Sequence, residues 1–437
     1  MEVREPEVQA LLSATCRAEY GIIVSVVARV LGDVEAAEDV VQGAVERALR
    51  LWPERGIPTK PGAWLTTVAR RMAIDRVRKG RRDARLRDQL KTDAQRRSRV
   101  AESPYELLAR WPDERLQLIA TCCHPLLTAR DRAALTLREV AGLGVAEIAR
   151  AFLTSESAMT GRLTRARRRL REGTGHYERL SPEEICDRMP DVHRVLYLIF
   201  SQGYHASGAT ELIQRELCEE AIRLARTLVG LVQRHRVPSR ETKPLLALML
   251  LLHARTDARC DDEGLPILLP LQDRSRWNQP FIDEGLSLLE RAGSLQDAGP
   301  YQIQATIQAI HSLAAEAAET DWRSIDRLYQ QLYRLEPGPV VAINGVVAMG
   351  MWRGPVPALA ALDAIEAAHG PEVAQYPWLF VARAHFAEAS GDVGAARVAL
   401  ERARALSSNS AERAFLAGRI ETLIDTPVDG VERTSLS

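Results

Sequence analysis

Two stretches of this chain carry side chains whose type and spacing suit a polyanionic partner. In the first, Trp64, Thr67, Arg71, Asp75 and Arg78 recur every three or four residues along one side of an amphipathic helix, with Arg70 beside them. An indole stacks on bases while guanidinium groups hold phosphates, so a tryptophan heading a row of arginines fits nucleic acid. In the second, Ser155, Thr160 and Thr164 precede or interleave with Arg162, Arg165, Arg167, Arg168, Arg169 and Arg171. Short polar side chains reach base edges, and cations toward the flanks grip the backbone. Each pattern also fits a plain solvated face, and a tryptophan at a helix start is commonly a core residue. No nucleophile–base pairing, glycine-rich phosphate loop or carboxylate constellation stands out. Thr121–Pro125 (T-C-C-H-P) places two cysteines side by side with one histidine. Zinc sites need thiolates spaced to face one ion, with ligands from elsewhere, so this stretch predicts packing. Neither metal nor cofactor is expected, and the chain is not expected to be an enzyme.

The elements that would position these residues are helical. Asp33 is a plausible N-cap for a helix whose Val34, Ala37, Val41, Val45, Ala48 and Trp52 would face a core. Glu35, Glu38, Asp39, Gln42 and Glu46 would share its opposite, solvated face. After a Pro/Gly loop, Leu65, Val68, Ala69 and Met72 form the buried stripe of the Trp64 helix. Apolar positions between Val8 and Val30 would complete a small bundle. Between Arg70 and Arg99 there are 13 basic residues against 4 acidic ones, and apolar periodicity fades after Arg78, which predicts a mobile basic linker over Gly80–Ser103. Beyond Pro112, Leu116, Ile119, Leu126, Leu127, Ala134, Leu135 and Leu137 would core a second compact unit. That unit ends in a short helix (145–152), a turn at 153–155 with Ser155 as N-cap, and a longer helix (156–171), the spacing of a helix-turn-helix.

Zero net charge hides a split. Residues 1–175 hold 32 Lys/Arg against 23 Asp/Glu, and the remainder 26 against 35. A basic front half suits a polyanion; an acidic back half would be repelled by one. Six scattered cysteines without C-x-x-C spacing, no signal peptide and no apolar run longer than Leu245–Leu252 predict a cytoplasmic, non-membrane protein. Residues 182–437 are helical in pattern, apart from a proline-rich stretch over 263–280 that reads as a long ordered loop. Toward the end, Ile325, Tyr329, Leu332 and Pro337, then Gly354, Val356 and Leu359, then Gly391, Val393, Ala396, Leu400 and Ala403 hint at repeats of about 34 residues, the tetratricopeptide length.

The order of the pieces resembles a known family. The A-E-D-V-V-Q segment (37–42), P-G-A-W-L (61–65) and A-R-R-M-A-I-D-R-V-R (69–78) resemble the first conserved domain of extracytoplasmic-function sigma factors of bacterial RNA polymerase. A-M-T-G-R-L-T-R-A-R-R-R-L (158–170) is similar to their second domain. Y-L-I-F-S-Q-G-Y-H-A-S (197–207), L-Q-D-R-S-R-W-N (271–278) and T-D-W-R-S-I-D-R-L-Y (320–329) resemble a subgroup with a long C-terminal extension ending in tetratricopeptide-like repeats. The resemblance implies an all-α protein: a first sigma domain (1–82), a flexible basic linker (83–111), a second sigma domain with the helix-turn-helix (112–175) and a helical extension (182–437). It implies that Glu38, Asp39 and Gln42 dock on the β′ clamp of core RNA polymerase, and that the second domain meets the β flap. Trp64, Thr67, Arg70, Arg71 and Arg78 would engage the melted promoter element. Around the helix-turn-helix, Thr160, Gly161, Thr164 and Arg165 would face bases of the upstream element while Arg162, Arg167 and Arg168 hold its backbone, with Ser155 also among the DNA-binding residues. Gly43 departs from the acidic residue usual at its position. The extension would regulate the sigma half, through intramolecular contact with the sigma domains or through a protein partner on its repeat surface. A stand-alone helix-turn-helix regulator with a repeat-based sensor is the alternative.

Overall fold

A computed structural model describes residues 5–88, 114–152, 154–174, 180–204, 214–407 and 409–425. The described residues are organised as helices, and they divide into two compact units, residues 1–199 with 223–239, and residues 200–222 with 240–437.

In the first unit, α1 (Glu5–Leu31), α2 (Val34–Arg55) and α3 (Pro61–Asp88) form a three-helix bundle. Asp33 caps α2 as its sequence predicts, accepting from the Ala36 amide at 3.1 Å. Ala37, Val41, Ala48 and Trp52 are buried, joined by Val40 and Ala44, and they close on Ile23, Val24 and Val27 of α1 and Leu65, Ala69 and Ala73 of α3. Helix α3 runs six residues past Arg82, so the linker expected from residue 83 begins as helix; residues 89–111 of that linker lie outside the described residues.

The second small domain comprises α4 (Glu114–Cys122), α5 (Ala129–Leu135), α6 (Val145–Ala151) and α7 (Glu156–Thr174). Its core holds Leu116, Ile119, Leu127, Leu135 and Leu137, with Ile148, Met159, Leu163 and Ala166 closing α6 on α7. Leu126 does not join them. It sits 51% exposed in the turn after α4, where its amide donates to His124 Nδ1. The end of α5 widens into a π-helical turn, Thr136–Val140, a form that often marks a functional position. Cys122 and Cys123 are buried, and burial pushes the Cys123 thiol up to about 12.

Helices α8 (Pro182–Tyr204) and α9 (Arg215–His235) contribute to both units. Within the first unit, the chain entering α8 is bound to the second small domain. The buried Gln117 side-chain amide donates to the Leu180 carbonyl at 2.7 Å and accepts from the Leu180 N–H at 2.9 Å. Arg132 pairs with Asp191 at 2.7 Å, and Arg188 donates to the Ala120 carbonyl at 3.2 Å.

The second unit builds on α10 (Thr242–His253), whose six apolar residues from Leu245 to Leu251 other than Ala247 are all buried, against α11 (Gln279–Glu290) and α12 (Pro300–Leu313). The proline-rich stretch is ordered by short 3-10 turns at Leu269–Leu271 and Arg274–Arg276. Then α13 (Trp322–Leu335), α14 (Pro339–Arg353), α15 (Pro355–Val373), α16 (Pro377–Ala389), α17 (Val393–Leu406) and α18 (Ser410–Asp425) follow, each packed on the next. Such nearest-neighbour stacking is the habit of helical-repeat proteins. Ile325, Leu332, Ala396, Leu400 and Ala403, expected at repeat positions, are buried.

Candidate nucleic-acid interface

Helix α3 presents Thr67, Arg70, Arg71 and Arg78 to solvent, the first held on its own helix by a hydroxyl bond to the Ala63 carbonyl. Arg78 makes a loose pair with Asp75 at 3.9 Å, so its guanidinium remains exposed. Trp64 lies between the exposed contact and the core residue that its position in the sequence allowed. It is half-buried, its ring meeting Trp52 edge to face at 5.4 Å. A Trp at the first turn of α3 lies over the last turn of α2, and the buried Trp52 gives it a wall. The packed side fixes the ring, and the open side is left for a partner.

In the second domain, Ser155 caps α7 by accepting from the Ala158 amide at 3.2 Å. Thr160, Thr164, Arg165 and Arg168 are exposed along the outward face of α7. Arg162 is turned partly inward, bonded to Asp131 at 3.0 Å, and Arg169 approaches the same carboxylate at 3.6 Å. Leu153 of the expected turn lies outside the described residues.

The polar trio on α2, Glu38, Asp39 and Gln42, divides. Asp39 and Gln42 are exposed, Asp39 facing Arg76 of α3 at 3.5 Å. Glu38 does not share the solvated face predicted for it: it is only 6% exposed. Its Oε1 accepts from Tyr20 at 3.0 Å and from Arg138 Nε at 2.7 Å, and its Oε2 meets Arg167 Nη2 at 2.5 Å. Arg167 also binds Glu139 through Nε at 2.9 Å and Nη2 at 2.5 Å. A carboxylate of the first domain and an arginine of the helix-turn-helix are therefore each other's partners, in a buried cluster of two acids and two guanidiniums. Burial, then the Glu38 charge, pushes the Glu139 carboxyl up to about 7, and burial with both carboxylates raises the Tyr20 hydroxyl.

The seam is shaped for this contact. Gly21 of α1 lies so close to the π-helical turn that a Cβ there would sit 2.7 Å from the Val140 carbonyl oxygen. Gly142, at φ +76°, brings the following loop against the Tyr20 ring, where a Cβ would be 2.9 Å from Cγ. The π-helical turn rotates Arg138 and Glu139 toward Glu38. Neither Arg138 nor Glu139 had a signal in the sequence, because Glu38, the partner of Arg138, lies about a hundred residues upstream, and Arg167, the partner of Glu139, sits on a separate helix.

Residues 16–83 match the family described as Sigma-70 region 2, and residues 117–170 match Sigma-70, region 4. These spans coincide with the bundle bearing the α3 arginines and with the helix-turn-helix domain. The chain belongs to the extracytoplasmic-function sigma factors, with a C-terminal extension. Within that extension, residues 188–293 of the sigma factor match a family of unknown function (DUF6596). An uncharacterized protein of Rhizobium meliloti (strain 1021) is 37% identical over 425 residues, 97% of each chain, so the extension is shared along with the sigma domains. No solved structure matches. Its family gives this sigma factor a role in promoter recognition with core RNA polymerase. Among the described residues no helix is long and apolar enough to cross a membrane.

Proposed function

We propose that this sigma factor rests with region 2 and region 4 clasped together and opens when core RNA polymerase takes hold of region 2. The observation that carries the reading is Glu38, a residue of the polymerase-docking helix buried against Arg138 and Arg167 of region 4. In the open form Glu38, Asp39 and Gln42 face the β′ clamp, and region 4 meets the β flap. Trp64, Thr67, Arg70, Arg71 and Arg78 hold the melted strand, the indole stacking on a base. Ser155, Thr160, Thr164 and Arg165 read the upstream element while Arg162, Arg167 and Arg168 grip its phosphates. Arg167 then exchanges Glu38 and Glu139 for DNA, which couples opening to promoter binding. The sigma factor acts in the cytoplasm, performs no chemistry of its own, and carries no metal or cofactor in its sigma domains. Its extension, from 182 onward, acts on region 4 through α8 and offers its helical stack to a protein partner.

Reconstituted transcription with purified core polymerase tests this. The full-length protein should bind promoter duplex specifically only once core is added, and Trp64→Ala should lower open-complex formation more than ten-fold with core affinity retained. Specific duplex binding without polymerase would instead identify a stand-alone helix-turn-helix regulator.

A further inference from the structure

Beyond the sigma domains, the second unit buries a guanidinium that has no ion-pair partner among the described residues, and a second one nearby feels the charge of only one acid, Glu319. Arg255, in the turn after α10, is only 8% exposed, yet its guanidinium forms no ion pair among the described residues. Its Nη2 donates to the neutral Gln308 Oε1 at 2.9 Å, and its Nε has no partner among the described residues. Arginine is almost never buried unpaired, because an uncompensated charge in a low-dielectric interior is strongly unfavourable. Arg274 lies close by. It gives Nη1 to the His311 and Ala314 carbonyls at 2.5 and 2.6 Å and likewise has no ion pair among the described residues.

Trp277 joins the two guanidiniums, its ring centroid 5.9 Å from Arg255 Cζ and 4.7 Å from Arg274 Cζ. Trp277 is 7% exposed and His311 6%, and among the described residues neither the Trp277 Nε1 nor the His311 Nδ1 has a partner. Burial, then Arg255 and Arg274, pushes His311 down to about 3, so the ring is neutral and its Nδ1 can offer an N–H. Three buried nitrogens without partners among the described residues thus lie beside two guanidiniums that form no ion pair, in a stretch walled by Ala254, Ala258, Ile282 and Ala309. Buried polar groups ordinarily find partners, and an oxyanion would satisfy all of these at once.

We infer that Arg255, Arg274, Trp277 and His311 form a binding site in the extension for a small oxyanion, a phosphate or a carboxylate. Arg255 and the indole N–H supply the charge-assisted and directional contacts, and Arg274 supplies the second charge. The ligand is thereby a candidate signal for the extension. The site stands on these residues alone, independently of how the sigma domains meet polymerase.

The test is thermal unfolding of the full-length protein in inorganic phosphate, in succinate, and in chloride at matched ionic strength. Phosphate or succinate should raise the midpoint saturably by roughly 2–4 °C over chloride. A response to phosphate alone marks a phosphoryl ligand, and a response to succinate alone marks a carboxylate. Arg255→Gln should abolish the rise while unfolding in chloride at or above the wild-type midpoint, since it removes an unmatched charge. Trp277→Phe keeps the ring and loses only the N–H, and should weaken the anion several-fold. The inference is overturned if neither anion moves the wild-type midpoint beyond chloride. It is equally overturned if the rise survives in both variants, since phosphate would then be held by the promoter-binding arginines. An Arg255→Gln midpoint several degrees below wild type in chloride, with the anion response intact, assigns Arg255 to packing.

Discussion

Arg138 offers a way to loosen the clasp without touching any residue assigned to promoter or polymerase. Its Nε holds Glu38 at 2.7 Å and its Nη1 donates to the Leu143 carbonyl at 3.0 Å, with 18% of the side chain exposed. Arg138→Gln removes one of the two guanidiniums on Glu38 and leaves Arg167 and Tyr20 in place. A hydrogen bond to a charged group contributes about 1.5–3 kcal/mol. Partial exposure moves the value toward the middle of that range, about 2 kcal/mol, or roughly a 30-fold shift from closed to open. If core polymerase accepts only the open form, its apparent affinity scales with the open fraction. The variant should therefore bind core up to about 30-fold more tightly, the gain ending where the open form predominates. Its small-angle scattering should report a larger radius of gyration. Binding measured by fluorescence anisotropy on labelled core, with a urea melt to confirm intact folding, decides the matter. A well-folded Arg138→Gln protein with unchanged core affinity and an unchanged scattering profile would refute the clasp.

Two further outcomes follow from the same geometry. The first concerns pH. His193 is buried and pushed down to about 4, so its stabilising contribution is whole above the usual histidine value of about 6.5 and is lost as pH falls through 4. Glu139, pushed up to about 7, behaves oppositely: its contribution is whole below the usual glutamate value and is lost as pH rises through 7. Unfolding midpoints should thus fall less between pH 6.5 and 4.5 in His193→Gln than in wild type, and fall less between pH 5 and 7.5 in Glu139→Gln. The second concerns truncation. Ending the chain at 175 removes Leu180, Arg188 and Asp191, so the Gln117 amide loses its Leu180 bonds, the Ala120 carbonyl loses Arg188, and Arg132 loses its carboxylate. That fragment should unfold at lower urea than one ending at 239, by roughly 2–4 kcal/mol from the lost buried bonds. Equal urea midpoints for the two fragments would show that α8 adds nothing to region 4.

Much of the architecture was legible from the chain because local rules governed it. Ser155 and Asp33 cap helices where short acceptors precede apolar periodicity, and Ile148, Met159, Leu163 and Ala166 bury as their spacing requires. The exposed arginines of α3 follow the same rule. Glu38 escaped it, because an acid three residues before Val41 reads as solvated unless its distant partners are known. Arg138 and Glu139 share a π-helical turn, which breaks the 3.6-residue register on which such readings depend. Leu126 carried the right residue type but fell in a turn, where periodicity says nothing. Trp64 was legible as a special residue but not as one half-supported by Trp52, since ring against ring is a tertiary fact. The Arg255 cluster could not be foreseen either, for its members come from three separate segments and an arginine gives no sign in sequence of lacking an acid.

The Gln117–Leu180 bonds have a mechanical implication. They use both backbone polar groups of one residue at the doorway to the extension, as a strand would in a sheet, so region 4 and the first turns of α8 make no loose joint. Arg132 and Asp191 add a second rivet about three helical turns further on. Whatever tilts the first turns of α8 drags region 4 with it, as a lever does and a leash does not.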